Sequence, residues 1–124
     1  MQPISLAQKF SLFSDHWSPK IVGELNNSYV KLAKFQGEFV WHNHANEDEL
    51  FLVVKGSFTM RWMDGAGAEQ QAEVREGEFF IVPKGVEHCP SAKEEVHIVL
   101  FEPKSTKHTG DVDDARTVKE WEWI

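Results

Sequence analysis

Apolar and polar residues alternate in short segments along most of this chain, which is the pattern of β-strands with one buried face. Glycine-containing turns separate the segments, and the clearest of them is Asp64-Gly65-Ala66-Gly67. The alternation begins near Ile21, and the predicted strands span residues 29–35, 38–44, 50–54, 57–63, 68–74, 78–82 and 96–101. Closely spaced short strands with almost no helix between them predict an antiparallel all-β sandwich or barrel.

The two ends of the chain carry weaker signals. Ser5 and Gln8 have the spacing of a capping box and apolar residues follow at helical intervals, so residues 5–13 are predicted to form a short helix. Residues 104–114 are polar and are predicted to form a loop. Residues 117–124 place apolar side chains at three-residue intervals, which predicts a short helix or strand that docks on the barrel.

The composition narrows the classes of partner. The chain of 124 residues is long enough for one domain with its own core, and its net charge of −7 comes without a cluster of Lys and Arg. We therefore expect no nucleic-acid partner, since phosphate binding needs a positively charged face. Cys89 is the single cysteine, so no internal disulfide can form. No apolar run has the length of a signal peptide or a membrane span, and we expect a soluble, cytoplasmic protein without a membrane partner.

Three histidines and a glutamate fall at positions that favour a metal site. His42 and His44 are two residues apart in a predicted strand, so their imidazoles project from the same face. Glu49 follows at the start of the next apolar segment, and His88 follows a Pro-x-Gly turn. Two neighbouring imidazoles and a carboxylate form one half of a suitable metal site, and His88 would supply a third imidazole from the other half.

Two segments carry these residues in a regular arrangement of glycines and candidate ligands. They are Gly37-x4-His42-x-His44-x4-Glu49-x6-Gly56 and Gly77-x5-Pro83-x-Gly85-x2-His88. The pair strongly resembles the two motifs of the cupin superfamily, in the same order, and the resemblance covers roughly residues 29–103. Two details depart from the usual motifs. Four residues instead of five separate Gly37 from His42, and Ala92 stands where an asparagine is common.

The resemblance implies an all-β, double-stranded β-helix (jelly-roll) barrel with a short N-terminal helical segment. One divalent transition metal ion per chain would be held inside it by His42, His44, Glu49 and His88. Residues 1–124 would form a single domain, with a barrel core at about 29–103 and with segments 1–28 and 104–124 packed on it. The runs DELFLVVKG and VPKGVEHCP are similar to those of small single-domain bacterial cupins, a group named mainly for the domain.

Three imidazoles and one carboxylate suit Mn, Fe, Co, Ni, Cu or Zn, and the ligand set alone does not choose among these ions. The second ring nitrogen of each histidine ligand would need a carboxylate, a carbonyl or a water as its partner. The candidate partners nearest in sequence are Glu47, Glu87, His97 and Glu102. We expect five other residues to stay outside the site. They are three structural histidines (His16, His97 and His108), one buried cysteine (Cys89) and one solvated turn lysine (Lys84).

Strand alternation also assigns the two faces of the barrel wall. If His42 and His44 point inward, then Phe39 and Trp41 point outward. If Glu49 points inward, the residues left on the outer face are Leu50, Leu52 and Val54. Such a face is too apolar to remain in water, so either the N-terminal segment or a second subunit covers it. We favour a homodimer with C2 symmetry.

Three classes of function are compatible with these features. The first is a metal-dependent enzyme acting on a small oxygen-rich substrate, of the oxygenase, isomerase, lyase or decarboxylase type. The second is a module that binds or senses a small molecule, in which the ion only anchors the ligand. The third is a structural barrel without metal. The complete ligand set argues against the third class. We lean to the first, but the fold itself does not determine a reaction.

Overall fold

The computed structural model describes residues 1–110, 112, 114, 116 and 121–124. In these residues the chain forms one short helix and a set of β-strands. In chain order they are α1 (Leu6–Phe10), β1 (Lys20–Leu25), β2 (Ser28–Glu38), β3 (Glu49–Lys55), β4 (Ser57–Met63), β5 (Glu69–Arg75), β6 (Phe79–Val82), β7 (His88–Pro103) and β8 (Glu122–Trp123). The predicted all-β class and the short N-terminal helix are confirmed. None of the described helices is long and apolar enough to cross a membrane.

The long strand β7 joins the two halves of the barrel wall. It pairs antiparallel with β2 along nearly its whole length, from Pro103 opposite Ser28 to Ser91 opposite Glu38. On its other edge, the first part of β7 pairs with β4, and the later part pairs with β3. β5 continues from β4, β6 from β3, and β1 and β8 from β2. The strands thereby enclose an interior into which both ends of β7 project side chains.

The strand predicted at residues 38–44 does not form. β2 instead continues through the predicted gap to Glu38, and Gly37 adopts a φ of 85° where the register between β2 and β7 shifts. Glycine tolerates this left-handed conformation without a Cβ clash. Beyond Glu38 the chain leaves the sheet, and only His42 pairs again, in an isolated bridge to His88. Strict alternation fails here, so Phe39, which was predicted to point outward, is 7% exposed and lies in the interior.

The last predicted strand, 96–101, is only the apolar part of β7. The real strand begins eight residues earlier at His88. Pro90 and the exposed run of charged residues 93–95 interrupt the hydrophobic pattern, so the pattern alone does not show that the backbone stays extended. The tail prediction is met in part, since β8 pairs parallel with β1, while residues 117–120 lie outside the described residues.

The N-terminal helix covers part of the apolar outer face. Ser5 caps α1 by accepting a hydrogen bond from the Gln8 amide at 3.2 Å, as its sequence spacing predicts. Phe10, 3% exposed, packs in a second core cluster against which Leu52 and Val54 of β3 also lie. The sequence left open whether the N-terminal segment or a second subunit covers the apolar outer face. Over this part of β3, the N-terminal segment covers it.

Phe10→Ala tests this docking. Removal of a buried phenylalanine side chain leaves a cavity, so the free energy of unfolding should fall by about 3–5 kcal/mol, measured by urea denaturation. Leu12→Ala is the matched control, because Leu12 is 56% exposed and its loss should change stability by less than about 0.5 kcal/mol. Equal small effects for both variants would mean that α1 does not pack on the sheet in solution.

Candidate metal centre

A pair of backbone hydrogen bonds brings the two histidine-bearing segments together. The amide of His42 donates to the carbonyl of His88 at 3.0 Å, and the amide of His88 donates to the carbonyl of His42 at 2.8 Å. The two residues thus form a narrow antiparallel bridge between the loop after β2 and the start of β7. Their imidazole rings lie beside each other, with centroids 4.3 Å apart.

His44 and Glu49 are fixed by separate contacts at the ends of the same loop. The carbonyl of His44 accepts a hydrogen bond from the Gly85 amide at 2.7 Å, which ties this loop to the Pro-x-Gly turn. Asp48 accepts a second bond from the Lys84 amide at 2.8 Å. Glu49 is the first residue of β3 and lies opposite Val82 of β6 in the sheet. The turn before His88 therefore holds the loop that carries the other three candidate ligands.

The four predicted ligands meet in the interior of the barrel. One potential ligand atom from each of His42, His44, Glu49 and His88 lies within 4.8 Å of all the others. Oε1 of Glu49 is 3.3 Å from Nε2 of His44 and 3.6 Å from Nε2 of His88. Ligands on opposite sides of an ion with bonds of about 2.1 Å would be about 4.2 Å apart, so the cluster has the size of a single-ion site.

Burial and hydrogen bonding leave donor atoms directed at this point. The exposed fraction of each of the four residues is 4% or less. Within the described part of the chain, Oε1 of Glu49 and Nε2 of His88 are buried and make no hydrogen bond. Such groups are costly to bury unless something satisfies them, and a cation bound between a carboxylate and imidazoles would do so. The residues present fit a metal ion.

Backbone carbonyls set the tautomers of two of the histidines. Nδ1 of His42 donates to the carbonyl of Val40 at 2.9 Å, and Nδ1 of His88 donates to the carbonyl of Val86 at 2.8 Å. A carbonyl can only accept, so in the neutral rings Nδ1 carries the proton and Nε2 presents its lone pair to the cluster. The expected carbonyl partners are thus found for these two rings.

Of the side chains considered as partners from the sequence, only Glu102 reaches the cluster. Burial alone would raise the pKa of Glu49, but hydrogen bonding with Glu102 and His44 holds that pKa well below its usual range. Burial and the negative charge of Glu49 raise the pKa of Glu102 well above its usual range. Glu102 is therefore the member of the pair that takes up a proton more readily. Burial, together with the charge of His88, lowers the pKa of His42 to about 4.

A buried lysine, which the sequence did not indicate, lies behind this carboxyl pair. Nζ of Lys31 is 2.8 Å from Oε1 of Glu102, and both side chains are fully buried. The same ammonium group lies 3.3 Å from the centre of the Trp121 ring. Polar residues in a period-two strand normally mark the solvent face, so Lys31 gave no signal of its position. Lys31 and Glu102 thus form a buried polar contact next to Glu49, one of the candidate ligands.

The interior also contains a small cavity of about 20 Å³ beside the cluster. His42 and Glu49 line it, together with a mainly apolar wall of Trp17, Pro19, Phe35, Phe39, Phe51, Pro90 and Leu100. His108, expected to be structural, completes the wall and is 6% exposed. The predicted loop at 104–114 therefore contributes to the interior, and Gly110 packs so closely on the Asn43 backbone that a Cβ there would clash.

The other sequence candidates lie elsewhere. His16 and His97 contact Glu95 at 2.8 Å and 3.2 Å, away from the cluster. Glu87 accepts a hydrogen bond from Asn43 at 2.9 Å. Cys89 is fully buried, as expected, and burial raises the pKa of its thiol.

Known proteins share both the sequence pattern and the fold. A cupin-2 domain-containing protein from Shewanella frigidimarina NCIMB 400 is 46% identical, with 82% of this chain and 94% of that chain covered and a TM-score of 0.76. The uncharacterized protein YdbB of Bacillus subtilis (strain 168) is 34% identical over 67 residues, which are 54% of this chain and 56% of the B. subtilis protein. The hydroquinone 1,2-dioxygenase PnpCD, solved in complex with Fe3+, is 16% identical with a TM-score of 0.74, covering 85% of this chain and 33% of that chain. This last likeness shows the fold alone.

The cupin domain family matches residues 28–103, a range that holds β2 to β7 and both histidine-bearing segments. The long pairing of β7 with β2, β3 and β4 gives the barrel wall that the motif resemblance implied. The match extends over more than half of the chain and includes all four clustered residues. The chain belongs to the cupin domain family.

Proposed function

We propose that this protein is a metal-dependent cupin enzyme that binds one divalent transition metal ion through His42, His44, Glu49 and His88. The observation that carries the proposal is the convergence of four buried ligand atoms within 4.8 Å of one another. Three imidazoles and one carboxylate suit Mn, Fe, Co, Ni, Cu or Zn. Once bound, such an ion polarises substrate oxygen atoms or lowers the pKa of a coordinated water.

The surrounding residues suit a small substrate rich in oxygen. The cavity beside the cluster has a largely aromatic wall, and its polar lining consists of the candidate ligands His42 and Glu49 together with His108. Nδ1–H of His42 and of His88 stays bonded to backbone carbonyls, so these rings hold their orientation when a substrate enters. An oxygenase, an isomerase or a lyase would each use these features.

A non-catalytic module that binds a small molecule is the second candidate, favoured by the small volume of the cavity, about 20 Å³. Incubation of the metal-loaded protein with small diols, sugars and oxo acids separates the two. Turnover that stops with a chelator and resumes with added ion identifies an enzyme. Metal-dependent ligand binding without turnover identifies a binding module and contradicts the proposed catalysis.

We further propose a homodimer formed through the part of the outer face that α1 leaves open. Phe79 and Ile81 of β6 are 61% and 50% exposed. They lie opposite Leu52 and Leu50 of β3, so these apolar side chains share one face. A second copy of the chain, related by a two-fold axis, would remove this surface from water.

Metal binding tests the ligand set directly. The wild-type chain should bind one divalent ion such as Co2+ or Mn2+, measured by equilibrium dialysis and elemental analysis. Loss of an outer-shell partner weakens a metal site about 10–100-fold, so loss of a ligand in His44→Ala should weaken it by at least about 100-fold. His97→Ala is the control, because His97 lies outside the cluster. Equal affinity in the two variants would remove His44 from the site.

Acid should weaken both the fold and metal binding. The pKa of His42 is about 4 in the folded chain and about 6.5 when unfolded, so the unfolded chain takes up the proton more readily. Without metal, the contribution of His42 to the free energy of unfolding is therefore fully present above pH 6.5. It is lost as the pH falls to 4, by an amount on the order of 3 kcal/mol.

A bound ion adds stability because it binds only the folded chain, and protons compete with it for the imidazoles. The difference in melting temperature between protein with Co2+ and protein with chelator should be largest at pH 7 or above. It should shrink as the pH approaches 4. A difference that stays constant from pH 8 to pH 4 would show that histidines do not hold the ion.

Ile81→Lys tests the homodimer. A lysine in the contact would bury a charge without a partner, so the variant should be monomeric at concentrations where the wild type is dimeric. The measurement is analytical ultracentrifugation, with Gln71→Lys on the exposed face of β5 as the control for added charge. A wild-type protein that sediments as a monomer at micromolar concentration would disprove the dimer.

A further inference from the structure

His108 is buried like a core residue, but its imidazole carries two polar nitrogens. Its side chain is 6% exposed and lies between two aromatic rings, stacked on Phe39 at 5.6 Å and edge-on to Trp121 at 5.7 Å. Among the described residues, neither ring nitrogen makes a hydrogen bond that satisfies both distance and angle. Burial lowers the pKa of His108 to about 4, and an interaction with the backbone of Arg116 partly offsets that lowering. At most one of the two ring nitrogens can take part in this interaction.

The imidazole also lines the cavity that adjoins the candidate ligands. His42 and Glu49 form part of the wall, and His108 is a further polar side chain on it. Trp17 lines the cavity as well, but its indole N–H is already bonded to the carbonyl of Gln36 at 2.9 Å. His108 is thus the group on this wall, outside the ligand set, that retains hydrogen-bonding capacity.

The size of the cavity makes contact with His108 difficult to avoid. A volume of about 20 Å³ is little more than a single water molecule needs, which is about 10–15 Å³ on the same measure. A small molecule coordinated beside His42 and Glu49 and extending into this space therefore has little room and contacts the other lining residues, His108 among them. A polar atom at its outer end would lose hydration without compensation unless that wall offered a hydrogen bond.

We propose that His108 is a ligand-binding residue, which forms a hydrogen bond with the outer polar atom of a small molecule whose other end coordinates the metal ion. The site takes compact ligands with two polar ends, such as small anions and short oxygen-containing acids. Because it needs a bound ion at one pole, this inference rests on the proposed metal site.

Azide is a suitable probe because it is small, coordinates transition ions through one nitrogen and can accept a hydrogen bond at the other end. The full chain is loaded with Co2+, and azide is titrated while the visible absorption of the ion is recorded. His108→Phe keeps an aromatic ring between Phe39 and Trp121 but cannot form the bond, and His108→Leu provides a second loss variant if the first does not fold. His97→Phe is the matched control, because His97 also stacks on a phenylalanine but lies outside the cavity.

The expected result is a roughly tenfold weaker azide affinity in His108→Phe or His108→Leu, with the Co2+ affinity and the azide-free spectrum unchanged. His97→Phe should bind azide like the wild type, and His108→Gln, whose amide can donate, should recover part of the loss. Azide affinity within twofold of the wild type in the loss variants would overturn the proposal. Loss of Co2+ itself in those variants would also overturn it, since His108 would then hold the ion or the fold. If the wild type binds no Co2+, the proposed metal function fails first, and the inference fails with it.

Discussion

The burial of three imidazoles and a carboxylate together in the barrel interior is the constraint on which the rest of this structure depends. A carboxylate and three imidazoles have been withdrawn from water, and buried polar atoms without partners are among the most costly features a fold can carry. The surrounding backbone keeps them in place by bonding elsewhere. The reciprocal hydrogen bonds between His42 and His88 fix two of the rings, and the Val40 and Val86 carbonyls fix their orientation. The barrel is built so that the remaining donor atoms face one point.

Charge balance behind the site follows from the same constraint. Glu49 and Glu102 are both fully interior, and two adjacent carboxylates cannot both ionise at low cost. Their pKa values are driven apart, lower for Glu49 and higher for Glu102, so Glu102 takes up a proton more readily than Glu49. Lys31, held at 2.8 Å from Glu102, offsets the negative charge from the far side. A divalent ion placed next to Glu49 would favour the ionised form of Glu102, which would then pair fully with Lys31.

The sequence predicts those parts of the structure that depend on local pattern. The strand at residues 57–63 coincides with β4, the strand 50–54 lies within β3, and Ser5 caps the helix as expected. The four clustered residues were identified from the resemblance to the two cupin motifs, and the argument that His42 and His44 share a strand face assumed a strand that does not form. The prediction that Phe39 faces outward failed because it assumed regular alternation through residues 38–44, where the chain leaves the sheet after Gly37.

The features that the pattern missed depend on contacts between distant segments. Lys31 is a charged residue in an alternating strand, and its burial is explained by its approach to Glu102, 71 positions away, and to the ring of Trp121. His108 lies in a polar segment that would normally remain in solvent, and its burial depends on Phe39 and Trp121. Neither partner can be deduced from hydrophobic periodicity, because periodicity describes one segment at a time.

The family match includes the candidate ligands but only part of the cavity wall, so membership of the family does not identify a substrate. The family match spans residues 28–103 and contains all four clustered residues, so the candidate metal site lies within the shared barrel. Three residues of the cavity wall, Trp17, Pro19 and His108, lie outside that match. The first two arrive with the segment before β2, and the third arrives with the segment after β7. If the proposed metal site holds a small molecule, the residues that touch this molecule without touching the ion would come partly from these flanking segments. Under that proposal, the specificity of this chain is best sought in the segments that carry Trp17, Pro19 and His108.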